Sequence, residues 1–198
     1  MPHHLLQLDI AVFTFINAHH TPFFDVFFMI VTWFGSGWIA IPLAGVALFF
    51  FTPRRFLSRT LIIAAVAGTL TGIGNTQIKH CIDRPRPCAF FAAASAPGGS
   101  YRVHVLGERL EQNSFPSGHA ATAFAAATIL VFFIKRKSFL LYAGAFLVAY
   151  SRIYVGAHFP LDAAGGAILG CCLPALIILS FRRWIFTLPP AKLENSHD

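Results

Sequence analysis

The stretch that decides the fold is residues 161–181, LDAAGGAILGCCLPALIILSF, which contains a single charged side chain, Asp162. A membrane-spanning helix needs about 20 predominantly apolar residues, and this run has that length. Three further runs have the same apolar character, and they extend over residues 60–79, 118–134 and 139–154. We therefore predict four membrane-spanning helices from these runs.

The composition agrees with a membrane protein and excludes an ordinary soluble domain. Of the 198 residues, 56% are hydrophobic and only 12% are charged, whereas soluble domains carry roughly 25% charged residues. Two shorter apolar runs, 23–34 and 38–51, flank Gly35-Ser36-Gly37, and they form either two short helices or one long kinked helix. The predicted fold class is all-α, a polytopic membrane helical bundle with about five or six transmembrane helices.

The apolar runs divide the chain into three parts. Residues 1–21 are expected to form an interfacial or partly inserted helix, residues 22–183 the membrane domain, and residues 184–198 a C-terminal tail. Within the last span, Gly166 and Gly170 have the spacing of small residues that allow two helices to pack closely.

Basic residues near the ends of the spans indicate the orientation of the chain, because short cytoplasmic loops keep an excess of Lys and Arg. The clusters are Arg54, Arg55 and Arg59, then Lys135, Arg136 and Lys137, and finally Arg182 and Arg183. Successive spans alternate in direction, so these clusters fall on one side, which we predict to be cytoplasmic. We expect a multi-pass protein of the cell (inner) membrane. Because the clusters are dispersed over several loops, nucleic acid is not an expected partner.

Three groups of polar residues lie at span ends on the other, extracytoplasmic side, where we place the active site. They are Lys79 with Arg84 and Arg86, Ser117 with His119, and Arg152 with His158 and Asp162. Charged groups at such positions are costly and usually face one another or a cavity. Several fixed cations with a hydroxyl and a helix N-terminus are the groups that bind a phosphate dianion.

The spacing within these groups indicates roles. Pro160 is suited to the first position of a helix, so Asp162 falls in the first turn and can reach back toward His158. Ser117 is a candidate helix cap, and Gly118 allows a ligand oxygen to approach the backbone. A pair of histidines, of which one is oriented by an acid, divides into a nucleophile and a general acid.

Other histidines and the cysteines have simpler interpretations. His19, His20, His80 and His104 are assigned to the membrane interface, where a lone histidine is common. The sequence has no carboxylate and histidine cluster with metal-ligand spacing, so we predict no metal and no cofactor. Cys81 and Cys88 both lie on the extracytoplasmic connection, and whether they form a disulfide is left open.

The motifs resemble those of a known family. They are Lys79-x6-Arg86-Pro87, Pro116-Ser117-Gly118-His119 and Ser151-Arg152-x5-His158-x3-Asp162. Together they are similar to the three-part signature of the type-2 phosphatidic acid phosphatase superfamily, over roughly residues 20–182. The resemblance implies a metal-independent membrane enzyme that hydrolyses a lipid phosphate or diphosphate through a phosphohistidine intermediate.

The resemblance also assigns roles to single residues. It makes His158 the nucleophile, Asp162 its orienting partner and His119 the acid that protonates the leaving group. The implied phosphate-binding residues are Lys79, Arg86, Ser117, Gly118 and Arg152.

The lipid itself is less well specified by the sequence. The short chain and compact loops favour undecaprenyl diphosphate, which would be converted to undecaprenyl phosphate. The alternatives are a phosphatidylglycerophosphate or lipid A phosphatase, a lipid phosphotransferase, and a non-enzymatic lipid transporter or binding module. Candidate contacts to the lipid headgroup are Arg84, Tyr101, Arg102 and Arg109. The expected partners are thus a lipid phosphate and the membrane, and no oligomeric state is predicted.

The first testable prediction concerns metal ions. Because the predicted site consists of cations and imidazoles, phosphate release by the purified protein should continue in EDTA. Loss of turnover in EDTA that a divalent ion restores would contradict this mechanism. A small change would not, because magnesium also alters the charge and aggregation of the lipid.

Overall fold

The computed structural model describes residues 3–93, 101–134 and 138–187, and all regular secondary structure in these ranges is helical. The helices are α1 (His3–Ala18), α2 (Pro22–Trp33), α3 (Gly37–Phe51), α4 (Arg54–Ile82), α5 (Pro87–Ala93), α6 (Gly118–Ile134), α7 (Ser138–Tyr154), α8 (Pro160–Ser180) and α9 (Arg182–Phe186). The all-α fold class is therefore confirmed. The short helices α5 and α9 were not predicted.

The four predicted spans correspond to α4, α6, α7 and α8. Two segments are long and apolar enough to cross a membrane by themselves, namely Arg54–Ala93, which contains α4 and α5, and α8. The other two, α6 and α7, are shorter apolar helices. Helix α4 begins at Arg54, earlier than the apolar run that starts at residue 60. Its first turns therefore contain the basic residues 54, 55 and 59, which the sequence analysis placed in a loop.

The first apolar region is broken as the glycines predicted. Helices α2 and α3 meet at an angle of 62°, and together they are long and apolar enough for one membrane span. A Cβ added to Gly35, in the break, would lie 2.6 Å from Cγ1 of Val148 and 2.9 Å from Cβ of His119. The break therefore packs directly against α6 and α7, and only a residue without a side chain fits there.

Helix α6 is the centre of the bundle, and it packs against α3, α4, α7 and most extensively α8. Alanines form much of its buried surface, so its neighbours approach closely. A Cβ added to Gly166 would lie 2.4 Å from the carbonyl oxygen of Ser117, and one on Gly170 would lie 2.4 Å from that of Ala121. The predicted packing role of the two glycines is confirmed.

The two ends of the bundle differ in chemistry. At one end Arg59 donates hydrogen bonds to the carbonyl oxygens of Trp184 and Thr187, at 2.8 and 2.5 Å, and this joins the start of α4 to α9. Lys79 lies about 30 Å further along α4, at the other end of the bundle. The start of α6, the end of α7 and the start of α8 lie at this end too, and we call it the polar end. The remaining basic cluster, residues 135–137, lies outside the described residues.

The N-terminal helix α1 belongs to the polar end. The side chain of Asn17 donates to the carbonyl oxygen of Tyr154, at the end of α7, and the carboxylate of Asp9 accepts from the backbone N–H of Leu161, at the start of α8. Asp9 and Asn17 are buried, so α1 is anchored by polar contacts. Its depth in a membrane, and with it the predicted boundary at residue 21, remains a prediction.

The C-terminal helix α9 crosses the boundary that the sequence predicts at residue 183. Ile185 is fully buried in a cluster with Leu48 and Ile63, because α9 folds back onto the bundle. The division between membrane domain and tail at residue 183 stays a prediction. Residues 188–198, most of the predicted tail, lie outside the described residues.

The contact between α6 and α8 gives a stability prediction. Gly170→Ala places a methyl group against the backbone of Ala121, so overpacking should cost about 1–3 kcal/mol. A lower melting temperature in detergent should result. Gly72→Ala, on α4, is the matched control because a Cβ there meets nothing within 4 Å. Equal melting temperatures for the two variants would contradict this account of the packing.

Candidate active site

The polar end brings together the residues of all three sequence motifs. Lys79 comes from the end of α4, His119 from the first turn of α6, and Arg152 from the last turn of α7. Lys79, Arg86, Arg152 and His158 are all close enough to His119 to act on it electrostatically. The alternating direction of the spans thus produces one cluster of cations and two imidazoles.

Asp162 is fully buried and is the acceptor at the centre of this cluster. Its Oδ2 accepts hydrogen bonds from the backbone N–H of Phe159, at 2.9 Å, and from the hydroxyl of Ser114, at 2.5 Å. Its Oδ1 accepts from Nη1 of Arg84 at 2.6 Å. A buried carboxylate is stable only with such a set of donors and charges.

The geometry between Asp162 and His158 includes a third residue. Nδ1 of His158 lies 3.7 Å from Oδ2 of Asp162, beyond hydrogen-bond distance, and 3.4 Å from the hydroxyl oxygen of Ser114. The hydroxyl donates to the carboxylate and can accept a hydrogen bond from Nδ1–H. This arrangement favours the tautomer with hydrogen on Nδ1 and leaves Nε2 as the free lone pair.

His158 is suited to act as a neutral base or nucleophile. Its side chain is only 2% exposed, and burial lowers its pKa from 6.5 to about 4, although the Asp162 carboxylate acts in the opposite direction. Arg86 and Arg152 lower the pKa further through their positive charge. At neutral pH the imidazole is therefore uncharged and keeps the lone pair that attack requires.

Arg84 has a different set of contacts from those predicted for it. The sequence suggested a lipid headgroup contact, but Nη1 and Nη2 form ion pairs of 2.6 Å with Asp162 and Asp9. Its guanidinium carbon lies 4.5 Å from the centre of the Phe159 ring. With both terminal nitrogens occupied by carboxylates, Arg84 compensates buried charge beneath the site.

The three cationic candidates for phosphate binding are each oriented by a hydrogen bond to a backbone carbonyl or a hydroxyl. Nζ of Lys79 donates to the carbonyl oxygen of Asn113 at 2.7 Å, and Nε of Arg86 donates to that of Gln112 at 3.0 Å. Nη1 of Arg152 donates to the hydroxyl of Thr32 at 2.7 Å. These bonds use only some of the donors on each side chain, so others remain for a ligand.

Among the motif residues of the cluster, two side-chain atoms are buried without a hydrogen-bond partner in the described part of the chain. They are Nε of Arg152 and the hydroxyl oxygen of Ser117. Buried donors are nearly always paired, so an unpaired donor in a cluster of cations indicates a position for an acceptor from a ligand. Ser117 directly precedes α6, whose first backbone N–H groups add further donors.

Residues 101–110, which we call the outer connection, contribute less to the cluster than residues 112–114, which contact Lys79, Arg86 and Asp162. The hydroxyl of Tyr101 donates to Oδ1 of Asn17 at 3.0 Å, which fixes it to α1. Arg102 and Arg109 are exposed, and their role as headgroup contacts remains a prediction. Cys81 and Cys88 are free thiols, and Sγ of Cys88 lies 3.0 Å from the carbonyl oxygen of Leu110.

The sequence analysis missed Asp9, Thr32 and Ser114. Asp9 is the only acid in an apolar N-terminal run, and an isolated charge in such a run indicates a buried partner. Thr32 and Ser114 carry no comparable signal, because each matters only through a hydrogen bond to a residue that is distant in the sequence.

The bundle and the cluster of cations and imidazoles at its polar end define a membrane phosphatase. The chain belongs to the PAP2 superfamily, whose family model matches residues 59–186. This result confirms the resemblance drawn from the three motifs.

Related proteins and a solved structure extend the match over most of the chain. A lipid A 4'-phosphatase of Bacteroides thetaiotaomicron is 28% identical over 96% of this chain and 80% of its own length. An undecaprenyl-diphosphatase of Sulfolobus acidocaldarius is 28% identical over 87% of this chain and 78% of its own length. The crystal structure of Aquifex aeolicus LpxE superimposes with a TM-score of 0.73 at 32% identity, over 87% of this chain and 95% of that one.

The position of Ser114 yields a prediction. Ser114→Ala removes the hydroxyl between Asp162 and His158, and the loss of one hydrogen bond to a buried charge costs about 1.5–3 kcal/mol. The value of kcat should therefore fall by about 10- to 100-fold, with KM little changed, because Ser114 is placed to orient His158. Ser58→Ala is the control, because Ser58 lies near the start of α4, far from the polar end of the bundle. An unchanged kcat would show that the hydroxyl does not orient the histidine.

Proposed function

We propose that this chain removes phosphate from a membrane lipid through a phosphohistidine intermediate on His158, with undecaprenyl diphosphate as the favoured substrate. As a member of the PAP2 superfamily the chain is a phosphatase of lipid substrates. The observation that carries the proposal is the pair of unpartnered buried donors, Arg152 Nε and Ser117 Oγ. They lie with Lys79 and Arg86 in the cluster that also contains His119 and His158.

The cations would bind the terminal phosphate and neutralise its charge. Arg86 and Arg152 present guanidinium groups, which suit two phosphate oxygens at once, and Lys79 adds a point charge. Ser117 and the first N–H groups of α6, beginning at Gly118, supply donors to the remaining oxygen. In this arrangement the phosphorus becomes open to attack on the side of His158.

The reaction then proceeds in two displacements. Nε2 of His158 attacks the terminal phosphorus, so a P–N bond forms and the bond from that phosphorus to the bridging oxygen of the lipid diphosphate breaks. His119 donates a proton to the departing lipid oxygen. A water molecule next attacks the phosphohistidine, His119 removes its proton, and the P–N bond breaks to release inorganic phosphate. Asp162 acts through Ser114 and through its charge to stabilise the imidazolium that forms during attack.

The choice of lipid rests on weaker support than the chemistry. The relatives include both undecaprenyl-diphosphatases and lipid A phosphatases. An apolar cavity of about 590 Å³ lies along α2 and α3, and residues of its wall include Met29, Trp33 and Phe34. Phe34 is followed directly by Gly35, whose backbone packs against His119. This wall therefore suits an apolar chain that extends from the site into the membrane.

A panel of purified lipids tests the proposed function. Release of inorganic phosphate is measured in detergent from undecaprenyl diphosphate, lipid A, phosphatidylglycerophosphate and phosphatidic acid, with His158→Ala as the blank. We expect the highest kcat/KM with the polyprenyl diphosphate. A higher value with lipid A would overturn the choice of lipid and keep the phosphatase. No release from any lipid would favour the binding-module alternative, and transfer of phosphate to an added acceptor lipid would favour the phosphotransferase.

The two histidines should respond differently to the leaving group. His158→Ala removes the nucleophile, so it should abolish turnover of every phosphate ester. His119→Ala should reduce the rate by about 10² to 10⁴ on a lipid phosphomonoester such as phosphatidic acid, whose alkoxide oxygen needs a proton to leave. It should retain far more activity on a nitrophenyl phosphate, because nitrophenolate leaves without protonation. If His158→Ala shows this dependence on the leaving group and His119→Ala does not, the two roles are reversed.

We further propose that the polar end faces the extracytoplasmic side. The basic residues of α4 and α9 lie at the opposite end of the bundle, where short cytoplasmic segments keep them. In a background without the four native cysteines, Glu108→Cys should react with an impermeant thiol reagent in intact cells, and Ser58→Cys should not. Both positions are exposed. The reverse labelling pattern would place the active site on the cytoplasmic side.

A further inference from the structure

We infer that His20, Asp25 and His104 form a binding site for a divalent transition metal such as Zn²⁺, outside the catalytic cluster. The three residues come from the turn after α1, the first turn of α2 and the outer connection. One ligand atom from each lies within 4.8 Å of the others. The sequence could not indicate this group, because residue 104 is distant in the chain from residues 20 and 25.

The distances are close to those of a metal site. Nε2 of His104 lies 3.3 Å from Oδ2 of Asp25, and two ligands of a tetrahedral zinc ion are about 3.4 Å apart. The ring of His20 stacks on that of His104, with centroids 3.7 Å apart and 3° between the planes. Stacked rings cannot both direct a nitrogen at one ion, so the ring of His20 has to rotate. It is free to do so because His20 is exposed.

The carboxylate of Asp25 is oriented for this role. The hydroxyl of Tyr154 donates to Oδ1 of Asp25 at 2.8 Å, which leaves Oδ2 directed at His104. Hydrogen bonds of this kind from a neighbouring residue are typical of metal-binding carboxylates, because they fix the orientation of the ligand.

The backbone of His104 is also fixed in position, by two hydrogen bonds to one side chain. The side chain of Asn17 accepts from its N–H at 2.9 Å and donates to its carbonyl oxygen at 2.8 Å. Gly156, with φ of +77°, approaches so closely that a Cβ there would lie 2.4 Å from the same carbonyl oxygen. In contrast, Nε2 of His104 is buried without a hydrogen-bond partner among the described residues, and such an atom is available to a ligand.

The donor set selects the class of ion. Two imidazole nitrogens and one carboxylate oxygen, with water in a fourth position, suit zinc and neighbouring transition metals. Magnesium and calcium prefer oxygen ligands alone. A bound ion would join α1, α2, the outer connection and, through Tyr154, the end of α7 that carries Arg152. Its effect is therefore on the stability of the polar end, and it takes no part in phosphate transfer.

Binding of Zn²⁺ alone tests the inference. The full chain is purified with an affinity tag that lacks histidine, stripped with a chelator and titrated with Zn²⁺ by calorimetry, with His3 and His4 replaced by alanine in every sample. We expect a site of one ion per chain that raises the melting temperature, whereas Mg²⁺ at the same concentration does not. His20→Ala, Asp25→Asn and His104→Ala should each weaken this site by about 10- to 100-fold or more, the usual cost of losing even a supporting residue.

Two further variants make the test specific. Tyr154→Phe removes the hydrogen bond to Asp25 and the one that the hydroxyl accepts from the backbone N–H of Thr21. It leaves all three ligand side chains in place, so it should weaken Zn²⁺ binding less than Asp25→Asn does. His19→Ala removes the neighbouring exposed imidazole and should leave the affinity unchanged. Because His20 is exposed, His20→Ala should remain folded and active as a phosphatase. Equal Zn²⁺ binding by His20→Ala and the unmodified chain would overturn the inference, as would an equal loss in His19→Ala.

Discussion

Most of the polar end depends on one constraint, the burial of the Asp162 carboxylate. A fully buried carboxylate is unstable unless hydrogen bonds and positive charge replace the water that it has lost. Arg84, Ser114 and the backbone N–H of Phe159 supply these groups. Arg84 carries a charge of its own and is paired in turn with Asp9 of α1. One carboxylate thus fixes the relative positions of α1, α8 and the connection before α6.

The close contact of α6 with α8 translates this constraint into the geometry of the active site. Because Gly166 and Gly170 allow the two helix backbones to approach, the backbone N–H of Ser117 donates to the carbonyl oxygen of Asp162 at 2.9 Å. The start of α6 is therefore attached to the same residue whose carboxylate lies beside His158. The proposed phosphate-binding donors and the proposed nucleophile are held on a common frame, which is how a site keeps reacting groups aligned.

The sequence was sufficient for the main architecture and for the cluster of motif residues. Apolar runs of helix length predicted α4, α6, α7 and α8, and the alternation of their direction predicted that Lys79, His119 and Arg152 meet at one end. The residues that support them could not be predicted in this way. Ser114 and Thr32 are ordinary polar residues whose importance arises from packing against His158 and Arg152.

Arg84 shows the limit of such reasoning most clearly. A cation in a polar connection near the predicted phosphate site suggested a ligand contact, and no neighbouring residue in the sequence indicated Asp9 or Asp162 as its partners. Only folding brings Asp9 and Asp162 to the same guanidinium. Short helices such as α9 are also hard to predict, because their stability comes from contacts with the rest of the bundle and not from their own length. For α9 these contacts include the burial of Ile185 and the hydrogen bonds from Arg59.

The contact of Asp9 with Arg84 affects where the functional unit of this chain begins. The family model starts at residue 59 and contains every signature residue, so a fragment cut at that position would look catalytically complete. It would lack Asp9, which forms an ion pair with Arg84, and Thr32, which accepts a hydrogen bond from Arg152. A minimal catalytic unit for expression, transplantation or comparison between distant members has to include α1 and α2, although no signature residue lies in either helix.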